Sequence, residues 1–142
     1  MVVKPRASRK SVVIIDDHTF LRQGLERVLN STEEFFVCEE AANAADGLEA
    51  VREMRPDAVI VDIGLPDTDG IELTKQLVAK YPGIIVLVLS MHEEAEYAVR
   101  AMQAGARGYI MKNEAVDTLP NALREVFSGK RLFSTTILDG TV

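Results

Sequence analysis

The sequence predicts an α/β fold: five βα units over residues 11–128, wound as a doubly covered parallel sheet in a single domain. Three observations carry this. Aliphatic runs of strand length alternate with stretches of helical periodicity. The first, third and fourth runs are apolar without interruption, the pattern of strands buried on both faces of a helix-covered sheet. Pro56, Pro66, Pro82, Gly83, Gly105 and Gly108 punctuate the breaks between runs.

Taken in order, residues 12–15 read as the first strand. Leu21, Leu25, Val28 and Leu29 then give the first helix its apolar face. Residues 35–38 form a second strand, and Leu48, Val51 and Met54 a second helical face. A third strand spans 58–61, followed by a helix carrying Leu73, Leu77 and Val78. The fourth strand spans 84–89, and Val99 with Met102 marks the helix after it. Residues 108–111 make a short fifth strand. Val116, Leu119, Leu123, Val126 and Phe127 line the last helix, where Pro120 fits only in the first turn. Right-handed crossovers and the strand order 2-1-3-4-5 follow for such a sheet.

Composition excludes several classes. Apolar residues make up 47% and charged residues 27% of 142, as in ordinary soluble globular chains. The longest aliphatic runs fall far below the roughly 20 residues of a membrane span, and the basic start lacks the apolar core of a secretory signal. One cysteine, Cys38, excludes an internal disulfide and suits a reducing, cytoplasmic compartment. It reads as a small buried hydrophobe. Lys4, Arg6, Arg9 and Lys10 make residues 1–10 a basic, flexible segment. Residues 11–142 then hold 12 basic against 22 acidic residues, a net −10. Such a body binds nucleic acid poorly through bulk charge.

Ligands of such a sheet bind beyond the carboxyl ends of its strands. Asp16, Asp17 and His18 follow strand 1, and Asp62 follows strand 3. Ser90 follows strand 4 and Lys112 follows strand 5. Three carboxylates, a hydroxyl and an ammonium therefore converge on one edge. Clustered carboxylates repel unless a cation or proton relieves them. An oxygen-only donor set favours a hard ion such as Mg²⁺, which leaves coordination positions for phosphate oxygens. The residues fit phosphoryl transfer, with Asp62 on the middle strand as the nucleophile.

Asp16-Asp17, Asp62 with Leu65-Pro66-Asp67-x-Asp69-Gly70, Ser90, and Lys112 preceded by Tyr109 occur in that order, each at a strand end. Each motif is common alone; together they resemble the receiver domain of a two-component response regulator, a flavodoxin-like fold, over residues 11–131. Asp16-Asp17-His18, Leu87-Val88-Leu89-Ser90-Met91-His92 and Ala104-Gly105-Ala106-Arg107-Gly108-Tyr109 resemble most the NarL/FixJ-like branch, whose members usually carry a LuxR-type helix-turn-helix.

The resemblance implies that Asp62 takes a phosphoryl group from a sensor histidine kinase. It implies Mg²⁺ (or Mn²⁺) held by Asp17, Asp16, Asp62 and the backbone carbonyl of Gly64. Lys112 would pair with Asp62 and then with the phosphoryl group. Ser90 would hydrogen-bond that group, with Tyr109 turning inward behind it. The output implied is phosphorylation-dependent homodimerisation or control of an attached domain, ultimately of transcription. DNA would be reached only through a domain this chain lacks. His18 reads as the start of helix 1. His92 reads equally as a surface histidine or as a residue that places water. Asp67, Asp69 and Gly70 read as structural, with Asp67 or Asp69 capping helix 3. Gly64 leaves the site without a neighbouring side chain. Asn113 stands where many members have proline after a cis bond, a form costing about 2.5–4 kcal/mol before other residues.

Residues 132–142 resemble the start of an interdomain linker, which favours a piece of a longer regulator over a stand-alone receiver. Other readings fit less well. Mg²⁺-dependent phosphatases that form an aspartyl phosphate carry the nucleophile after strand 1, with a second aspartate two residues on. Here Gly64 stands two after Asp62. A flavin carrier needs a phosphate loop after strand 1, where this chain is anionic. A receiver that no longer accepts phosphate would not need the full acidic set.

Overall fold

The computed structural model describes residues 8–91 and 95–133. Five strands, β1 (Lys10–Ile15), β2 (Phe35–Ala41), β3 (Ala58–Asp62), β4 (Ile85–Ser90) and β5 (Gly108–Met111), run parallel in the order β2-β1-β3-β4-β5. Helices α1 (Thr19–Asn30), α2 (Ala44–Met54), α3 (Gly70–Lys80), α4 (Ala95–Gln103) and α5 (Ala115–Phe127) alternate with them.

The uninterrupted apolar runs are explained by two cores, one on each side of the sheet. Val13, Ile15, Val59, Val61, Val86 and Val88 point to one side, where Val51 of α2, Leu73 and Leu77 of α3 and Ala101 of α4 cover them. Their strand neighbours Val12, Ile14, Ile60, Leu87 and Leu89 point to the other, under Leu25 and Leu29 of α1 and Leu119, Leu123 and Val126 of α5. Alternation is present in the strands, but both of its phases are apolar.

Several expectations are corrected. β2 continues three residues past Cys38 because the pairing with β1 slips: Val12 faces Val37 and Val13 faces Glu39. Cys38 is the extra, bulged residue, half-buried, with its thiol 3.5 Å from the Val12 carbonyl. The acidic Glu39 and Glu40 hide this extension from a search for apolar strands. In α4 the buried positions belong to Ala98 and Ala101 rather than to Val99 and Met102. Met54 and Val116 are exposed. Pro120 is the sixth residue of α5, in its second turn. The N–H it lacks would have served Val116, which lies at the surface where water can substitute.

Both ends of the described residues meet the sheet directly. β1 begins inside the basic segment, at Lys10. Leu132 bridges Gly108 in parallel: its N–H donates to Arg107 O at 2.8 Å, and its carbonyl accepts from Tyr109 N at 3.1 Å. Leu132 packs on the α1–α5 side and Phe133 on the other, as consecutive strand residues do. The expectations for residues 1–7, for His92 and for the linker after Phe133 lie outside the described residues.

Candidate functional site

Asp62 is the last residue of β3 and Ser90 the last of β4, so both leave the sheet at the same edge, beside Lys112 after β5. Asp62 is 3% exposed and Ser90 1%. With His18, Ile63, Gly64, Met91 and Lys112 they line a cavity of about 190 Å³. Tyr109 does not line it. It sits half-buried on β5, paired with Val88 and packed on the α2–α4 side.

The loop after β3 is shaped around Asp62. Its Oδ1 accepts the Gly64 N–H at 3.0 Å. The chain then returns so closely that a Cβ on Gly70 would lie 2.1 Å from the Asp62 carbonyl oxygen. Only glycine allows that approach. Asp69 caps α3 by accepting Ile71 N at 2.8 Å, as expected of one of the two loop aspartates. Asp67 instead reaches α2, accepting Ala44 N at 2.8 Å and Ala45 N at 3.0 Å. Those two N–H groups hold its carboxyl below the usual range. The loop is thus fastened to two helices, and Asp62 is held at its base.

Lys112 Nζ lies 3.0 Å from Asp62 Oδ2 and 3.0 Å from Asp16 Oδ2. Both of these oxygens are buried and have no hydrogen-bond donor in good geometry, so they depend on that one ammonium. Asp17 is partly exposed at the rim. Oxygens of Asp16, Asp17 and Asp62 and a nitrogen of His18 all fall within 4.8 Å of one another. Burial drives the Asp62 carboxyl above its usual range, helped by the charge of Asp16 and opposed by the Gly64 N–H and by Lys112. Three carboxylates with one close ammonium keep a surplus of negative charge. Two buried, under-satisfied oxygens and a rim carboxylate fit a divalent hard cation.

The structure brings together Asp16, Asp17, Asp62, Ser90 and Lys112, as the sequence predicts. Gly64 adds its N–H, and a Cβ there would be 3.8 Å from Asp62 Oδ1, leaving that side of the carboxylate open. The Lys112–Asn113 bond is trans, like every described peptide bond. Lys112 opens a short 3-10 turn, Lys112–Glu114, that leads into α5.

Two residues of the site were missed in the sequence. His18 does stand at the N-terminal cap position of α1, with no cap hydrogen bond from its side chain, and its exposed ring leans over the site: Nδ1 is 3.0 Å from Asp16 Oδ1 and 2.6 Å from Lys112 Nζ. Nothing in its spacing signals this. Arg22 donates to the Asp16 carbonyl. A signal existed there, because Arg22 falls three before Leu25 and seven before Leu29, a cation on the buried stripe of its helix.

A larger cavity, about 760 Å³, opens at the amino-terminal ends of the strands, lined by Lys10, Glu34, Asp57 and Arg124 among others. Its charges are of both signs: Arg124 pairs with Glu34 at 2.7 Å, and Asp57 accepts the Ser11 N–H at 2.8 Å. It holds no cluster of like charge.

Known proteins resemble this chain in sequence and in fold. The profile of the family described as "Response regulator receiver domain" matches residues 12–124. The chain is 37% identical over 126 residues to the response regulator GacA of Pseudomonas aeruginosa, covering 89% of this chain and 59% of that protein. It is 36% identical over 118 residues to the transcriptional regulatory protein DegU of Brevibacillus brevis, covering 83% and 50%. The chain thus spans about half the length of the curated relatives it matches. Among solved structures, a LuxR-family two-component response regulator from Aurantimonas sp. SI85-9A1 superposes with a TM-score of 0.83 at 31% identity, covering 93% of this chain and 94% of that one. The receiver domain of the putative response regulator NarL from Mycobacterium tuberculosis gives 0.81 at 28%, covering 87% and 99%. With its parallel five-stranded sheet and the acidic pocket at the end of β3, the chain belongs to the response regulator receiver domain family.

Proposed function

We propose that Asp62 accepts a phosphoryl group from a partner histidine kinase. The observation that carries this is the environment of one carboxylate: Asp62 is buried at the end of β3, paired with Lys112 at 3.0 Å, backed by Asp16 and open to a small cavity. Asp16, Asp17, Asp62 and the Gly64 carbonyl would hold Mg²⁺. That ion would supply positive charge to the phosphoryl oxygens during transfer. An oxygen of Asp62 forms a bond to phosphorus as the bond from phosphorus to the kinase imidazole nitrogen breaks; the electron pair of that bond stays on the imidazole nitrogen, which takes up a proton from solvent. Lys112 offsets charge on the phosphoryl oxygens. The chain assists its own phosphorylation and dephosphorylation and is not a dedicated enzyme.

Once formed, the aspartyl phosphate offers new acceptors to Ser90, which is already in the cavity wall. Movement of Ser90 draws on β4 and β5, and Tyr109 turns towards the space vacated. The result is a population shift in the face made by α4, β5 and α5, read out as homodimerisation or as control of an attached transcriptional domain. The setting is the cytoplasm. Among the described residues, no helix is long and apolar enough to cross a membrane.

The test is the intact mass of the chain after incubation with Mg²⁺ and a small acyl phosphate. The expected result is a gain of one phosphoryl group, absent in Asp62→Asn and absent with chelator. Uptake by the Asn variant equal to that of the wild type would overturn the assignment. So would metal binding without any uptake from either the small donor or a kinase.

A further inference from the structure

Asp16 is the most constrained member of the site. Its N–H donates to Ala41 O of β2 at 3.0 Å. Its Oδ1 accepts the His18 N–H at 2.7 Å, and its Oδ2 faces Lys112. The remaining polar atom, the backbone carbonyl, belongs to a residue that is 0% exposed, and it accepts a hydrogen bond from the Arg22 guanidinium. The same guanidinium is anchored from its Nε to Glu40 Oε1 at 3.3 Å. Glu40 is the neighbour of Ala41 on β2. The Asp16 main chain is therefore held at both its N–H and its carbonyl, and the two holds lead back to adjacent residues of β2, Ala41 and Glu40.

We propose that Arg22 is a positioning residue of this site. By fixing the Asp16 carbonyl it fixes the plane of the peptide that joins Asp16 to Asp17, and so presets both carboxylates for a divalent cation. The inference rests on the metal-dependent reading of the Asp62 site. Two features of the fork matter. A guanidinium can reach a carbonyl and a carboxylate at once in a fixed plane, which an ammonium cannot. Its anchor is also under tension. Burial and the carboxyl of Glu26 push Glu40 up to about 7, against the pull of Arg22. The guanidinium is the cation beside that half-buried carboxyl, 3.3 Å from it, and the two side chains hold one another in place.

The bland role, satisfying a buried carbonyl, predicts a loss of stability alone. The positioning role predicts a loss of metal affinity that charge cannot restore. The experiment titrates Mn²⁺ into the full chain, follows free Mn²⁺ by electron paramagnetic resonance, and obtains Mg²⁺ affinity by competition. Wild type is compared with Arg22→Gln, Arg22→Lys and Glu40→Gln, and thermal stability is measured in chelator alongside. Supports of metal ligands typically change affinity by about tenfold or more. Arg22→Gln is therefore expected to weaken Mn²⁺ about tenfold, with Arg22→Lys recovering less than half of that loss on a logarithmic scale. Glu40→Gln, which leaves Arg22 in place without its charged anchor, is expected to lose about threefold. Unchanged affinity in Arg22→Gln, whatever its stability, overturns the proposal, and full recovery in Arg22→Lys reduces it to bulk charge. If the wild-type chain itself takes up no divalent ion, the metal-dependent reading fails, and this inference fails with it.

Discussion

Two aspartates bracket the middle strand of the sheet, and they have opposite fates. Asp57 precedes β3 at its amino end and is exposed. Its carboxylate accepts Ser11 N at 2.8 Å and Ser11 Oγ at 3.3 Å, tying β3 to β1. Asp62 closes β3 at its carboxyl end and is buried. One of its oxygens accepts Gly64 N, and the other faces an ammonium shared with Asp16, with the His18 ring nitrogen farther off at 3.9 Å. The same side chain satisfies the backbone at one end and is left under-satisfied at the other. A carboxylate committed to N–H donors is stabilised and inert. One kept from water among like charges is costly to hold and ready to react. β3 thus separates a structural end from a chemical end by five residues.

The largest break in this contrast is expected from the glycine that encloses the chemical end. Gly70→Ala puts a methyl carbon 2.1 Å from the Asp62 carbonyl oxygen and 2.8 Å from Ile63 Cα, contacts that backbone cannot relieve without moving. Overpacking of this kind costs about 3 kcal/mol, and denaturant unfolding should show it. Phosphoryl uptake should fall as well, because the atoms that must shift belong to Asp62. Gly64→Ala is the control on the same loop. Its Cβ meets only Asp62 Oδ1 at an ordinary 3.8 Å, so stability should stay within about 0.5 kcal/mol of wild type.

A smaller effect of the same sign is expected at the structural end. Asp57→Ala strips Ser11 N and Ser11 Oγ of their shared acceptor. The site is open to water, which replaces part of what is lost, so the cost is about 1 kcal/mol. Urea unfolding should register it, while phosphoryl uptake at Asp62 should be unchanged. A fall in uptake would mean that the two ends of β3 are coupled.

The sequence made the chemical end easier to read than the structural one. Asp16, Asp17, Asp62, Ser90 and Lys112 announce themselves because charged and hydroxyl groups directly after apolar strands have few structural uses. The five strands were legible for the same reason, as uninterrupted aliphatic runs. What stayed hidden depends on contacts between distant residues. The bulge at Cys38 resets the phase of β2 and carries it through Glu39 and Glu40, which no apolar pattern marks. Asp67 caps α2 rather than α3 through contacts with Ala44 and Ala45, distant in sequence, a tertiary choice. The contact of the His18 ring with Asp16 and the fork of Arg22 depend on where Asp16 is held. The buried face of α4, though not the helix itself, is hidden because alanines rather than larger residues fill it.

The last and smallest effect has the opposite sign. Asp62→Asn keeps the shape of the side chain and removes the charge that burial and Asp16 disfavour. Lys112 keeps Asp16 as a partner at 3.0 Å. In chelator at neutral pH the variant should be more stable than wild type, by up to about 1 kcal/mol. The pH dependence follows from linkage. The carboxyl of folded Asp62 titrates above its ordinary 3.8, so across that interval the folded chain binds more protons than the unfolded one. The penalty is therefore absent below 3.8, grows as pH rises through the folded value, and is complete above it. The stability difference between Asn and Asp should vanish in acid and reach its plateau towards neutrality. Adding Mg²⁺ at neutral pH should then reverse the order, since only the wild type has all three carboxylates to bind it and binding stabilises the folded state. If wild type were the more stable protein in chelator at neutral pH, the Lys112 ion pair would outweigh the burial of Asp62. The chemical end of β3 would then be a structural end too.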